Sequence, residues 1–150
     1  MKVSVRATYG ILAAMDIALH GRDLPVQAKA IAGRHGIPAR FLEQVLNGLK
    51  KAGLIESVRG AQGGYLLTKA PPDISLAQIV EALDGPLTAS SARKSGARRM
   101  RSRAKLEALL GEVWEQIRQA ELTILSAVTL NDIMARHAKL EQQSALMYHI

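Results

Sequence analysis

The sequence predicts a mainly α fold interrupted by one two-stranded β-hairpin, on three observations. Between Pro38 and Ala52, Leu42, Val45, Leu46 and Leu49 recur at i, i+3, i+4 and i+7. Arg40, Glu43, Gln44, Asn47 and Lys51 form a polar stripe one step round; two such faces describe an amphipathic helix. Next, Leu54–Val58 and Tyr65–Thr68 are short β-like runs around the basic, glycine-rich tip Arg59-Gly60-Ala61-Gln62-Gly63-Gly64, as in a hairpin. Finally, Leu106, Leu110, Val113, Ile117, Ala120, Ile124 and Ala127 alternate four and three apart, like the a and d positions of a zipper. Together they predict a winged helix-turn-helix with a two-stranded β-hairpin wing and a long C-terminal dimerisation helix.

The elements follow in order. Residues 4–20 carry a helical pattern with Ile11, Leu12, Met15, Ala18 and Leu19 on one face, broken by Gly21-Arg22-Asp23-Leu24-Pro25. Val26–Arg34 is a short helix with Ala28, Ile31 and Ala32 inward, and His35-Gly36-Ile37-Pro38 is the turn. Pro38 stands where a helix starts and Gly53 where one stops, matching the preference for proline at the first turn and a left-handed residue after the last. Pro71-Pro72 stiffens a connector. Ser75 with Gln78 reads as a capping box for a helix burying Leu76, Ile79, Val80 and Leu83, which Asp84-Gly85-Pro86 ends. Residues 88–104 read as a loop, a long helix starts near Lys105, and Thr129 with Asp132 caps a short helix Leu130–His137 with a loosely attached helical tail. The expected organisation is 1–70 winged helix-turn-helix, 71–104 connector helix and basic loop, and 105–150 dimerisation helix and tail.

Charge is segregated. Of the net +7, residues 1–70 carry +6, residues 71–90 carry −3, residues 91–105 carry +7 and residues 106–150 carry −3. A basic N-terminal half points to a polyanionic partner on one part of the molecule. The chain has no cysteine, which excludes disulfides, thiol nucleophiles and cysteine-held metal clusters. The four histidines, 20, 35, 137 and 149, have no metal-ligand spacing, so no metal and no cofactor are expected. Arg6 and Asp16 interrupt any signal-peptide core, and no apolar run is long enough for a membrane span; a cytoplasmic protein without a membrane partner is expected. No nucleophile–base pair, phosphate-cradling glycine loop or carboxylate pair suggests an enzyme.

Reading duplex DNA needs a helix that fits the major groove with side chains matching base edges. Arg40, Gln44 and Asn47 supply donors and acceptors. Glu43 either accepts from a cytosine amino group or forms a surface pair with Arg40 worth a few tenths of a kcal/mol. Arg6, Lys29, Lys50 and Lys51 are candidate phosphate contacts, which add affinity but no sequence information. Arg59 is suited to a narrow minor groove, and Gly60, Gln62, Gly63 and Gly64 complete the candidate tip, where glycine lets backbone approach backbone closely.

These residues resemble a known family. Tyr9-Gly10, Ile31-Ala32, Ile37-Pro38-Ala39-Arg40-Phe41-Leu42-Glu43-Gln44-Val45-Leu46, Leu49–Ile55, Ser57–Leu67, Ile74-Ser75-Leu76, Glu81–Leu87 and Thr129–Asp132 resemble the Rrf-two (IscR/NsrR/RirA/CymR-type) family of bacterial winged-helix transcription regulators over nearly the whole chain. The resemblance implies a homodimer on a palindromic operator, acting as a repressor, with the zipper helix crossing to the partner. It implies base contact by Glu43, minor-groove contact by Arg59 and supporting contacts by Arg40, Phe41 and Gln44. Many relatives hold an iron–sulfur cluster on three cysteines after the Gly-Pro-Leu segment. Here residues 88–106 contain no Cys, Asp, Glu or His, so a member without a cluster is expected. Some relatives work through a partner enzyme, so the alternative is an interaction module using the acidic face of residues 106–124 and the tail after Leu140. The seven basic residues from Arg93 to Lys105 read as a solvated loop, with a DNA-phosphate contact and an anionic-effector pocket as competing readings.

Overall fold

Helix α1 (Val5–His20) is the element the N-terminal part packs around. In the computed structural model, which describes residues 2–87 and 101–149, α1 touches α2 (Ala28–His35), α3 (Ala39–Lys51), strand β2 (Gly64–Leu67), α4 (Leu76–Asp84) and α6 (Leu130–Met147). So central a helix buries more than one stripe: Ala7, Gly10, Ala13, Ala14, Met15, Asp16, Ile17 and Ala18 are buried. This corrects the expected face, since Ile11 and Leu12 are half-buried and Leu19 is exposed. Ser4 caps α1 by accepting from the Ala7 N–H at 2.9 Å and donates to Asp84 at 2.6 Å, fixing the start of α1 to the end of α4.

The helix-turn-helix forms as expected. Gly36 takes φ 62° after α2, and all four apolar residues of the α3 stripe are buried. At its end the Gly53 N–H bonds to the Lys50 carbonyl and the Leu54 N–H to the Leu49 carbonyl, both at 3.0 Å. With Gly53 at φ 74° this is a Schellman stop, and buried Leu54 leads directly into β1 (Ile55–Val58). Strands β1 and β2 pair antiparallel from Ile55–Leu67 to Val58–Gly64.

Val26, expected as the first residue of α2, instead pairs with Tyr65 as an isolated bridge, with N–H···O distances of 3.0 and 2.8 Å. The wing is therefore tied to the α1–α2 loop. Leu83 of α4 fills a notch made by two glycines: an added Cβ on Gly48 would lie 2.7 Å from a Leu83 methyl, and one on Gly10 would strike the other methyl.

A single 3-10 turn (Pro71–Asp73) leads to α4, whose Ser75–Gln78 capping box is formed as expected. The Thr129–Asp132 box on α6 is formed too. The two helix starts lie side by side: the Leu76 N–H bonds to the Val128 carbonyl and the Leu130 N–H to the Ile74 carbonyl, each at 2.9 Å. Two corrections concern the C-terminal part. Helix α5 (Arg101–Ala127) begins earlier than Lys105, so residues 101–104 are helical; the rest of the expected basic loop lies outside the described residues. The expected short helix and tail are one 18-residue helix, α6. Among the described residues, no helix is long and apolar enough to cross a membrane.

Candidate nucleic-acid interface

The polar edge of α3 stands free. Arg40, Glu43, Gln44, Asn47, Lys50 and Lys51 are all exposed, because the opposite stripe alone contacts the core. Among the described residues, no ion pair joins Glu43 to Arg40, so the surface-pair alternative for Glu43 is not realised. Arg6 reaches this edge from the start of α1: its guanidinium lies 3.7 Å from where a Cβ on Gly48 would be. Arg6, Gln44, Asn47 and Lys51 line one open basin of about 520 Å³. Cationic and amide groups thus converge on one open surface. Lys29 lies exposed in the first turn of α2.

Phe41 differs from its neighbours. Its ring is half-buried and meets Tyr9 edge-on, with centroids 5.4 Å apart and planes at 86°. It braces α3 against α1 instead of projecting from the polar edge.

At the wing tip Arg59, Gly60 and Gln62 are exposed. Gly60 takes φ 118° with open space around its Cα, a conformation that favours glycine. Gly63 and Gly64 serve packing. A Cβ on Gly63 would strike the Val58 carbonyl oxygen, and one on Gly64 would lie 2.5 Å from the Val26 oxygen.

A polar cluster behind α2 was not visible in the sequence. Asp16, 1% exposed, accepts from Arg34 at 2.8 and 2.6 Å and from His35 Nε2 at 2.8 Å. His20 sits one turn along, its Nδ1 3.0 Å from the Asp16 carbonyl oxygen. Burial pushes the Asp16 carboxyl up, but the hydrogen bonds from Arg34 and His35 and the charges of Arg34 and His20 outweigh it and hold it below the usual range. Two of the histidines that lack metal-ligand spacing in the sequence thus share one carboxylate. The i,i+4 spacing of Asp16 and His20 was the available signal; Arg34 and His35 arrive by tertiary approach. Among the described residues, no group of three or more His, Cys, Asp or Glu is placed to hold a metal.

Helix α5 presents the opposite chemistry. Every residue of the expected seam is exposed; Leu106 at 60% and Ile124 at 62% are extreme cases. Leu109 and Trp114 widen this apolar face and were missed because they fall outside the strict four–three alternation. Arg118, Glu121, Leu122 and Leu125 form the half-buried side of the helix, which packs on α4.

Residues 3–136 match the family model Rrf2, described as an iron-dependent transcriptional regulator. The chain belongs to the Rrf2 family. The HTH-type transcriptional regulator CymR of Bacillus subtilis (strain 168) is 30% identical over 148 residues, covering 99% of each chain. IscR of Aliivibrio salmonicida (strain LFI1238) is 31% identical over 135 residues, 89% of this chain and 77% of that one. The solved structure of B. subtilis CymR, titled the global cysteine regulator, matches with a TM-score of 0.74 and 29% identity, over 91% of this chain and 98% of that one. That of T. potens IscR matches with a TM-score of 0.71 and 34% identity, over 91% and 88%.

This Rrf2 protein is therefore a DNA-binding transcriptional regulator of the winged helix-turn-helix type, and its relatives are regulators, not enzymes. The cysteine thiolates on which an iron–sulfur cluster would be held are missing from this sequence. The chain has no cysteine, and residues 88–106 offer hydroxyls, basic side chains and one thioether. Thiolate-bound iron–sulfur chemistry does not fit that donor set.

Proposed function

We propose that the protein is a homodimeric repressor that reads a palindromic operator without an iron–sulfur cluster. The observation carrying this is the free polar edge of α3, flanked by Arg6 on one side and followed in the chain by the exposed wing tip. Arg40, Glu43, Gln44 and Asn47 face base edges, with Glu43 accepting from a cytosine amino group. Arg6, Lys29, Lys50 and Lys51 hold phosphates, and Arg59 enters the minor groove beside Gly60 and Gln62. Phe41, Gly63 and Gly64 keep the two reading elements in register. The apolar face of α5, from Leu106 through Leu110, Val113, Ile117, Ala120 and Ile124 to Ala127, pairs with a second copy. Two copies then place their α3 helices in successive major grooves, about 34 Å apart.

Selection of bound duplexes from a random pool tests this. The expected product is a dyad with half-sites about one helical turn apart, and Glu43→Ala changes the preferred base at one position in each half. A selected pool without a dyad overturns the reading. The sign of regulation is checked by run-off transcription from a promoter carrying the selected site, where added protein lowers the transcript.

The exposure of Leu140, Leu146, Met147 and Tyr148 on the last turns of α6 favours a second reading: this end docks on a partner protein. Co-purification with and without residues 140–150 distinguishes the two.

A further inference from the structure

A second basin lies away from α3 and the wing tip. It is lined by Arg22 just past α1, Leu66 and Leu67 of β2, Lys69 of the connector, and Asn131 and Met134 of α6. Its volume is about 500 Å³, in the range of small-molecule sites. Leu66, Leu67 and Met134 are half-buried over buried Ile17 and Ala18, so one part of a mixed lining is apolar. Arg22 and Lys69 add two exposed cations, and neither has an ion pair or hydrogen-bond partner among the described residues. No lining residue carries a carboxylate. Asn131 adds a neutral amide. Unpaired cations beside an apolar lining, without an acid to neutralise them, select an anionic head on an apolar body. Arg22 can grip a carboxylate with two parallel N–H donors, while an ammonium ligand would meet only repulsion.

We infer that this basin is an effector site for a small amphipathic monocarboxylate. The site joins three elements of the regulator. Strand β2 runs from the wing tip, α1 carries Arg6 at its far end, and α6 continues from α5. A ligand seated across β2 and α6 fixes the wing relative to the α5 stem and so changes operator affinity; that clause rests on the function proposed above.

The test is an amide chemical-shift titration of the full chain with sodium hexanoate, alongside hexan-1-ol, hexylammonium and inorganic phosphate. Hexanoate is expected to give saturable shifts at Gly21, Arg22, Leu67, Lys69 and Asn131. The alcohol and the ammonium should bind at least about tenfold more weakly, since each lacks the charge-assisted hydrogen bonds. Phosphate should not saturate, because it leaves the apolar lining bare. The double variant Arg22→Gln/Lys69→Gln should lose hexanoate binding by at least about tenfold while the remaining spectrum stays unchanged. Absence of saturable shifts, or shifts that survive in the double variant, overturns the site. A lower salt slope of DNA binding in the unliganded double variant also overturns it, because the two cations would then be phosphate contacts. Operator affinity should change at saturating hexanoate in the natural protein but not in the double variant. No change overturns the effector role. A protein that binds hexanoate but no duplex at all overturns the proposed function and leaves the site standing.

Discussion

Helices α3 and α5 both carry a stripe of branched aliphatic residues, and the stripes meet opposite fates. On α3, Leu42, Val45, Leu46 and Leu49 are at most 1% exposed. On α5, Leu106, Leu110, Val113 and Ile117 are 44–60% exposed. The α3 stripe is covered by its own chain, principally α1, α2 and α4, and its polar edge is left exposed. A contiguous exposed apolar face marks an interaction site, and its three–four period fits another helix better than a flat surface. One stripe is buried as the core of the N-terminal lobe; the other lies open to solvent.

The largest expected effect comes from breaking the second stripe. Leu110→Asp with Ile117→Asp places two carboxylates in the seam. Sedimentation should show a monomer, and thermal unfolding of the lobe should change little. Operator affinity should fall by roughly 10²- to 10⁴-fold, the loss when two linked half-site contacts become independent. A variant that remains dimeric would place the association surface elsewhere and break the contrast between the two helices.

The first stripe should answer differently. Leu46→Ala removes a fully buried side chain and is expected to cost about 2–5 kcal/mol of folding stability, read from urea unfolding. A small shift in the urea midpoint at constant slope would mean that α3 is not held by its core face.

Asp16 joins α1 to α2 behind the polar edge, so it sharpens the contrast within the lobe itself. Asp16→Asn keeps the volume but weakens the bidentate pair with Arg34. A loss of roughly 2–3 kcal/mol is expected, less than for a fully buried pair because the Arg34 side chain is 41% exposed. The pH dependence has a definite sign. The folded carboxyl sits below its ordinary value of 3.8, so the unfolded chain binds the proton more readily. The stabilisation is full well above that value and is lost as pH falls below it, through the folded pKa. Acid unfolding curves should therefore be steeper for the natural protein than for Asp16→Asn; equal slopes below about pH 4 would remove the linkage.

What was legible in the sequence was local. The α3 stripe, the Gly53 stop and both capping boxes are each set by residues within seven positions of one another, and each forms as expected. The Val26–Tyr65 bridge, the Asp16–Arg34–His35 cluster and the Gly10–Leu83–Gly48 notch are made by tertiary approach, and nothing in their sequence spacing announces them. The start of α5 was missed for a different reason. Its first turns carry Arg101, Ser102 and Arg103 with no apolar period; an Arg103–Glu107 pair at 2.9 Å supports them instead. For the interface, the exposed residues of α3 were readable from periodicity. The meeting of Arg6 with Gln44, Asn47 and Lys51 in one basin was not, because it depends on how α1 crosses α3. The basic run before Lys105 lies partly outside the described residues, so its three readings stand as they did.

The smallest effect separates affinity from specificity within the α3 edge. Lys51 and Asn47 line the same basin, but a lysine gives a phosphate a point charge whereas an amide can match a base edge. Lys51→Ala should therefore weaken binding to selected and mixed-sequence duplexes by the same factor, with the salt slope falling by about one. Asn47→Ala should leave that slope unchanged and weaken the selected sequence by about 1–3 kcal/mol relative to a mismatched one. The pair is informative because both side chains project from neighbouring turns of one helix into one basin, so loss of the helix would affect both variants alike. If Lys51→Ala altered sequence preference instead, the edge would be turned about its axis relative to the duplex, and Lys51 would face a base.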